Sequence, residues 1–210
     1  AVALLPVVGK PVLEHALERA VAAGLRQALI AISAQAEEVR AAFGDGGRWG
    51  MRLDYVLTRG EVEPDEVVEL GRSRLAGEVL ALRGDVVHGV DLGRFLRSAG
   101  EIAGPVVYGK TPDGPICFCL HRAGGRGGLE PLRWPAAPSA TPPTSPVVEL
   151  DEGAVKPLDS LAAFHRVNLD ALAGRVPGLI VPGRQVALGL TVGLRSRVSP
   201  RSLRRGIALV

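Results

Sequence analysis

The sequence contains few aromatic residues and few lysines. Phe, Trp and Tyr make up 4% of the 210 residues, and the only lysines are Lys10, Lys110 and Lys156. With 47% hydrophobic and 22% charged residues the chain can still bury a sizeable core, so global disorder is excluded. That core has to consist mainly of Val, Leu, Ile and Ala, and each lysine is a candidate for a specific role.

Cysteine and long apolar runs are also scarce. Cys117 and Cys119 are the only cysteines, and their spacing does not make the disulfide framework of a small secreted protein. The sequence shows no signal peptide and no apolar run of about 18 residues. We therefore predict a soluble, cytoplasmic protein without a membrane partner. Because residues 1–10 lack an initiator Met and begin within a pattern, the chain is expected to be part of a longer one.

The net charge is only +3, and the excess lies mainly in the C-terminal segment RSRVSPRSLRRG, residues 195–206. Basic tails can bind nucleic acid. Here the arginines alternate with apolar residues, and no aromatic side chains for base stacking accompany them. The pattern favours a solvated face of a β element and predicts no nucleic-acid partner.

Hydrophobic periodicity predicts an α/β fold. Amphipathic helices are expected at residues 11–24, 34–43, 64–75, 91–100 and 158–174, and apolar strands at 28–33, 51–57 and 78–82. Helices that alternate with apolar strands indicate βαβ units and a mostly parallel sheet. Residues 105–122 should add a β-hairpin with its turn at TPDG, and residues 123–146 are rich in Gly and Pro, as in a loop or linker.

The spacing of apolar residues changes after Ile180. Val186, Val192 and Val198 recur every six residues, which is typical of a left-handed parallel β-helix that buries its core by stacking coils. An ordinary β-hairpin is the alternative. The predicted domains are an α/β domain over residues 1–122, a linker over 123–146, a closing strand and helix over 147–176, and a hexapeptide-like β segment over 177–210. That last segment is expected to make homo-oligomer contacts.

The segment EVLALRGDVVHG, residues 78–89, places a carboxylate after a buried strand. Open α/β sheets bind their ligands at the carboxyl ends of strands, so Asp85 is a candidate metal ligand. The alternative is a polar residue that only closes the strand. His88 could contact a phosphate or a metal shell there, although a role in filling the turn is favoured.

Two other patterns are weaker candidates for sites. Cys117, Cys119 and His121 alternate on one strand face and could bind Zn²⁺, but a fourth ligand is lacking and adjacent side chains do not converge. Small buried residues within a sheet are the favoured interpretation. The GDGG of residues 44–47 follows a helix instead of opening one, so it is predicted to be a turn and not a phosphate loop.

Taken in order, LLPVVGKPVLEHALERAVAAGLRQALIAI, EEVRAAFGDGGRWGMRLDYV and LALRGDVV resemble the sugar-1-phosphate nucleotidylyltransferases, of the mannose-1-phosphate guanylyltransferase or glucose-1-phosphate thymidylyltransferase type. The resemblance covers residues 3–92. It implies a Rossmann-like nucleotidyltransferase sheet with flanking helices, for which a hexapeptide tail is a known addition. It also implies transfer of a nucleotidyl group from an NTP to a sugar 1-phosphate.

The resemblance assigns roles to particular residues. Asp85 matches the aspartate that holds Mg²⁺, with Asp159 a displaced candidate for the second metal ligand. Lys10 matches the GKP lysine near the phosphate and sugar, and is with Asp85 the expected catalytic pair. Gly84 and Lys156 are expected to bind substrate.

Several family features are missing from this sequence. The Gly-rich phosphate loop would precede Ala1, so residues 1–210 alone are expected not to catalyse. The segment that packs the base should fall near EPDEVVEL, residues 63–70, where acidic residues would repel a nucleotide. Two hypotheses therefore stay open, an active enzyme and a degenerate relative that binds a nucleotide sugar or assembles with a partner. An acyltransferase that acts through further hexapeptide coils is a third.

Overall fold

The computed structural model describes residues 1–60, 62, 64–71, 73–75, 77–112, 116–122, 145–187, 190–193, 196–197, 199 and 208–209. The predicted linker at 123–146 lies almost wholly outside these residues, as do part of the TPDG turn and most of the basic segment at 195–206. Within the described residues, no helix is long and apolar enough to cross a membrane.

Besides two 3₁₀ helices, Val2–Leu4 and Gly47–Trp49, the described part of the chain contains five α-helices, all at predicted places. They are α1 Val12–Ala22, α2 Ala36–Phe43, α3 Pro64–Leu70, α4 Leu92–Gly100 and α5 Leu161–Leu172. Two begin with a side-chain cap, because Asp91 accepts a hydrogen bond from the Arg94 N–H and Ser160 accepts one from the Ala163 N–H. Apolar residues of α1, α2, α4 and α5 pack in the same core clusters as strand residues, as the spacing predicts.

Thirteen strands occur in the described residues, and each is two to six residues long. They are β1 Pro6–Val7, β2 Lys10–Pro11, β3 Gln27–Ile32, β4 Arg52–Leu57, β5 Glu78–Leu82, β6 Val86–Gly89, β7 Val106–Lys110, β8 Phe118–Arg122, β9 Val147–Glu149, β10 Ala154–Pro157, β11 Arg184–Ala187, β12 Leu190–Val192 and β13 Ala208–Leu209.

The βαβ unit predicted from the alternation is present. Strands β3 and β4 pair in parallel, with Gln27 opposite Arg52 and Ile32 opposite Leu57, and α2 connects them. A connection that contains a helix is what two adjacent parallel strands require.

The second sheet is mixed, which corrects the expectation of a mostly parallel sheet. Its strand order is β5-β8-β7-β9, in which β5–β8 and β7–β8 are antiparallel and β7–β9 is parallel. The reason is that the helix–strand alternation stops after α4. The predicted hairpin of β7 and β8 is confirmed, and β5 pairs with β8, the strand of this hairpin that runs in the opposite direction to β5.

Strand β6 was not predicted. The chain turns at Gly84 and Asp85 directly after β5 and continues as β6, whose four residues are all buried. β6 pairs antiparallel with β10, so that Val86 faces Pro157 and Gly89 faces Ala154. Asp85 therefore lies between two strands and does not merely end one.

The core is mainly aliphatic, as the composition predicts, and Phe118 is one of its few aromatic residues. The ring of Phe118 meets that of Phe95 edge to face, with centroids 4.9 Å apart. It also lies across Gly109 on the neighbouring strand, where an added Cβ would come 1.9 Å from Phe118 Cε2. Gly109 is thus required by the close approach of this ring.

The C-terminal segment contains both a hairpin and a parallel pair. β11 and β12 pair antiparallel, with Arg184 opposite Val192. β12 and β13 pair in parallel, and Leu190 faces Ala208, which lies eighteen residues later. Three hexapeptides span the same number of residues, but the intervening residues are largely outside the described chain. The left-handed β-helix stays a prediction.

Candidate active site

The predicted catalytic residue Lys10 follows a strained two-residue turn. Val7 faces Lys10 in the β1–β2 pair, which leaves Val8 and Gly9 as the turn. Their φ angles are 42° and 81°, the positive values of a type I′ turn, in which Asn, Asp or Gly is usual. Because Val is β-branched, a positive φ at this position costs roughly 1–3 kcal/mol. Val8 is 2% exposed, so its surroundings fix it there.

Three side chains hold this turn. His15 Nε2 donates to the Val7 carbonyl over 2.9 Å. Asn168 Oδ1, on α5, accepts from the Val8 N–H over 2.8 Å, and the Asn168 amide is oriented by its donation to the Phe164 carbonyl. Lys10 Nζ donates to both oxygens of Glu18 over 2.6 and 2.7 Å. The turn is therefore anchored on both its main chain and its lysine.

His15 is neutral in this arrangement. Burial is the largest influence on its pKa and lowers it, which outweighs the hydrogen bond to Val7. Its Nε2 carries the proton that is donated to Val7, and its buried Nδ1 lies 3.9 Å from Glu18 Oε2 without a hydrogen bond.

Asp85, the predicted metal ligand, lies in the turn between β5 and β6. Arg83 Nε and Nη2 donate to its two carboxylate oxygens over 2.9 and 2.5 Å. Both side chains are partly open to solvent, with 36% of Arg83 and 41% of Asp85 exposed. The carboxylate is accessible, and an arginine of the same turn neutralises it.

The main chain around Asp85 is fixed on both sides. The Leu158 N–H donates to the Asp85 carbonyl and the Arg83 N–H donates to the Cys117 carbonyl, each over 2.9 Å. His88 is buried against the edge of Phe118, and its Nε2 donates to the Arg83 carbonyl over 2.9 Å. His88 therefore supports the turn from within the core, where burial lowers its pKa and keeps it neutral.

Lys156 lies on β10 opposite Val87, and its Nζ is 3.4 Å from Asp170 Oδ2 on α5. Asp170 also accepts two hydrogen bonds from Arg175, over 2.9 and 2.7 Å, which is the main reason that its pKa is lowered. Both Lys10 and Lys156 are thus held by carboxylates of the protein. Gly84 is exposed, with open space where a Cβ would lie.

The fold brings most of the predicted site residues into neighbouring segments. The Leu158–Asp85 hydrogen bond places Asp159, which is exposed, next to the Asp85 turn. Val7 and Val8 pack in the same core cluster as Val87 and Leu158. Arg83, Glu18 and Asn168 were missed as partners of these residues. The Arg-Gly-Asp sequence could have indicated the first, because it places opposite charges in one turn.

The alternative zinc site is not formed. Cys117 and Cys119 are buried free thiols, and burial raises their pKa to about 11 and about 12. Metals bind the thiolate, which these surroundings disfavour. Within the described residues, no group of three or more His, Cys, Asp or Glu side chains could hold a metal ion. The prediction that the two cysteines are buried is confirmed, although only Cys119 lies within the sheet and Cys117 comes just before β8.

The oxygen atoms at the Asp85 turn fit a Mg²⁺ ion that has only one or two protein ligands. An accessible carboxylate with a second exposed carboxylate nearby, Asp159, supplies the hard oxygen ligands that Mg²⁺ prefers. They do not form an all-protein cage. Mg²⁺ is commonly held in this way, by one or two carboxylates with the remaining positions taken by water and substrate phosphates.

A shallow depression of about 370 Å³ lies elsewhere, between the end of α1 and the start of α4. Arg19, Asp91 and Pro177 are among the residues that line it. It contains none of the predicted site residues.

Comparisons with known proteins support the fold and the family. Among solved structures, a Bacillus anthracis protein described as a glucose-1-phosphate thymidylyltransferase, in complex with a sucrose, matches with a TM-score of 0.64 and 12% identity. The match covers 86% of this chain and 89% of that one. At such low identity it shows the fold alone, which is the mixed α/β fold of nucleotidyltransferases.

The sequence relatives are sugar-1-phosphate nucleotidyltransferases. The chain is 31% identical over 147 residues to a glucose-1-phosphate thymidylyltransferase of Actinoplanes sp., a match covering 66% of the chain and 48% of that protein. It is 30% identical over 94 residues to a mannose-1-phosphate guanylyltransferase of Mycobacterium tuberculosis, with coverages of 44% and 26%. No family model matches. Over the region shared with these relatives, the chain is similar to the sugar-1-phosphate nucleotidyltransferases. It spans half or less of their length.

Proposed function

We propose that the protein transfers a nucleotidyl group from an NTP to a sugar 1-phosphate and so makes a nucleotide sugar. The observation that carries this proposal is the Asp85 turn. It presents an accessible carboxylate on a main chain fixed at both sides, in a chain related to enzymes named for this reaction.

In this reaction an oxygen of the sugar phosphate forms a bond to the α-phosphorus of the NTP. The bond from that phosphorus to the bridging oxygen breaks, and pyrophosphate leaves with the electron pair. The protein contributes positioning and neutralisation of charge. Asp85, with Asp159 second to it, would hold Mg²⁺, which when bound neutralises phosphate charge.

The two lysines are proposed to contact the phosphate groups of the substrates. Lys10 would bind near the reacting phosphates and Lys156 on the sugar side, and each would exchange its carboxylate partner, Glu18 or Asp170, for a phosphate. The open space beside Gly84 would let a substrate approach the main chain closely. These roles follow the family resemblance and the position of each residue.

A second candidate function is a catalytically degenerate subunit that binds a nucleotide sugar or assembles with a partner. The contact that favours it is the pair of hydrogen bonds from Arg83, which covers both oxygens of Asp85.

The C-terminal β segment would then provide homo-oligomer contacts. All four residues of β11 are exposed, including Val186. Sedimentation of the full-length protein and its Val186→Glu variant tests this surface, and unchanged association would exclude Val186 from it.

Pyrophosphate release by the full-length protein, with a panel of NTPs and sugar 1-phosphates, tests the activity. Asp85→Asn should lower the rate about a hundredfold, the size expected for loss of a metal-binding charge. Asp54→Asn is the matched control, since Asp54 pairs with Arg52 at the same spacing on β4. An unchanged rate in Asp85→Asn would exclude a metal-binding role for Asp85. Nucleotide-sugar binding without pyrophosphate release would favour the degenerate subunit.

A further inference from the structure

The strained turn at Val8 depends on a residue far away in the sequence. Asn168 follows Val8 by 160 residues and is the only asparagine of the chain. Its Oδ1 receives the Val8 N–H at 2.8 Å. A buried N–H without a partner is costly, so the loss of Asn168 would remove the contact that satisfies this turn.

Asn168 is itself held rigidly. Its Nδ2 donates to the Phe164 carbonyl one turn earlier on α5, which leaves Oδ1 directed at Val8. The neighbouring Val167 and Ala171 are buried in the core cluster that contains Val7 and Val8. The amide and the turn are therefore parts of one packed unit.

The geometry of the turn determines where Lys10 begins. Lys10 is the first residue after the turn and pairs with Val7 across it. Its amine reaches both oxygens of Glu18, and only 12% of its side chain is exposed. If the turn relaxed to an unstrained form, the Lys10 main chain would shift relative to Glu18 and the amine would be released.

We propose that Asn168 is a positioning residue, which holds the Val8–Gly9 turn in its strained form and thereby fixes the amine of Lys10. Backbone strain persists where the surroundings over-determine it, and it clusters at functional sites. That the fixed amine meets a substrate phosphate rests on the proposed function. That Asn168 fixes the amine does not, and it is tested without any activity.

Helix α5 then holds both lysines of the candidate site. Asn168 acts on Lys10 through the turn, whereas Asp170, two residues later, contacts Lys156 directly. Substitutions at these two positions should therefore release different amines. This difference separates positioning from a general loss of stability.

The experiment is competitive labelling of the folded full-length protein with an amine-reactive ester, read at each lysine by mass spectrometry. With three lysines in residues 1–210, each amine is resolved, and Lys110 on β7 is the internal reference. Asn168→Ala should raise the labelling rate of Lys10 roughly fivefold or more, as the loss of a buried hydrogen bond implies, and leave Lys110 unchanged. Glu18→Gln, which removes the charge that Lys10 contacts, is the positive control.

Asp170→Asn is the reciprocal variant and should release Lys156 without affecting Lys10. Asn168→Asp keeps an acceptor oxygen for Val8 but loses the donor to the Phe164 carbonyl, so it should label Lys10 at a rate between those of the wild type and Asn168→Ala. It also provides a folded variant if Asn168→Ala does not fold. Unchanged Lys10 labelling in a folded Asn168→Ala, or an equal rise at all three lysines, would overturn the proposal. So would Asn168→Asp, if it released Lys10 as fully as Asn168→Ala.

Discussion

Arg83 and Asp85 face each other across a single glycine, and both oxygens of the carboxylate receive an N–H of the guanidinium. An exposed ion pair of this kind contributes little to stability. Its importance lies in what it does to the carboxylate, because a divalent cation has to compete with the arginine for the same oxygens.

The first prediction is that Arg83→Gln strengthens the binding of a divalent cation. Removal of the guanidinium leaves the Asp85 charge uncompensated, and we expect Mn²⁺ to bind several-fold more tightly, since about 1.4 kcal/mol corresponds to a tenfold change. Titration of the protein with Mn²⁺, followed by electron paramagnetic resonance of the free ion, measures this.

Arg52→Gln is the control for that measurement, because Arg52 pairs with Asp54 at the same spacing on β4. Its affinity for Mn²⁺ should match that of the unmodified protein. Equal or weaker binding in Arg83→Gln would show that the arginine does not compete with a cation at Asp85.

The second prediction concerns pH. Burial lowers the pKa of His15, His88 and His121, so each binds a proton less readily in the folded protein than in the unfolded chain. In the unfolded chain a histidine titrates near pH 6.5. Below that pH the unfolded state binds more protons, and the free energy of unfolding should fall by up to about 1.4 kcal/mol per pH unit for each histidine.

Urea unfolding at a series of pH values between 7.5 and 5.5 measures this slope. The His15→Gln variant should lose one histidine's share of it, and His165→Gln, at an exposed position on α5, is the matched control for the loss of an imidazole. Asp170 contributes in a different window. Its lowered pKa stabilises the fold above its unfolded value near 3.9, and that contribution is lost only at more acid pH. A stability that is flat between pH 7.5 and 5.5 would contradict the prediction.

The third prediction compares two glycines. Gly109→Ala should destabilise the protein by about 3 kcal/mol or prevent folding, because the new methyl group would overlap the ring of Phe118. Gly100→Ala meets no atom within 4 Å at the end of α4 and should stabilise the helix by about 0.5–1 kcal/mol. Thermal unfolding of both variants should give shifts of opposite sign, and shifts of the same sign would refute the assignment.

The fourth prediction concerns the cap of α5. Ser160→Ala removes the acceptor for the Ala163 N–H and should cost about 1 kcal/mol. Ser160→Asp keeps an acceptor and should restore most of that stability. Denaturant titration compares them, and equal losses in both variants would show that Ser160 does not act as a cap.

Local patterns were sufficient to predict the helices and the β7–β8 hairpin. Apolar spacing marked each helix, and the turn residues TPDG between two apolar segments marked the hairpin, whose strands are Val106–Lys110 and Phe118–Arg122. β6 was missed because its four residues follow β5 after only three residues, and so short an apolar run has no period of its own. The order of strands in the mixed sheet depends on contacts between distant segments.

Sequence patterns predicted only part of the candidate site. Asp85 was found from its position after a buried strand, and the family pattern then supported it and added Lys10. Their partners were not, since the contact between Val8 and Asn168 spans 160 residues and no spacing in the sequence encodes it. The strain at Val8 is likewise a property of the packed fold. Asn or Gly is usual in such a turn, so the local sequence does not predict one at Val8.

The modification rates of the two thiols can report on the opening of strand β8. Cys119 lies in β8 between Ala81 of β5 and Tyr108 of β7, whereas Cys117 lies just before that strand begins. Cys119 is fully buried, so a thiol reagent can reach it only when this part of the sheet is uncovered or opens. The ratio of the two modification rates therefore reports how often this sheet opens locally without the whole protein unfolding.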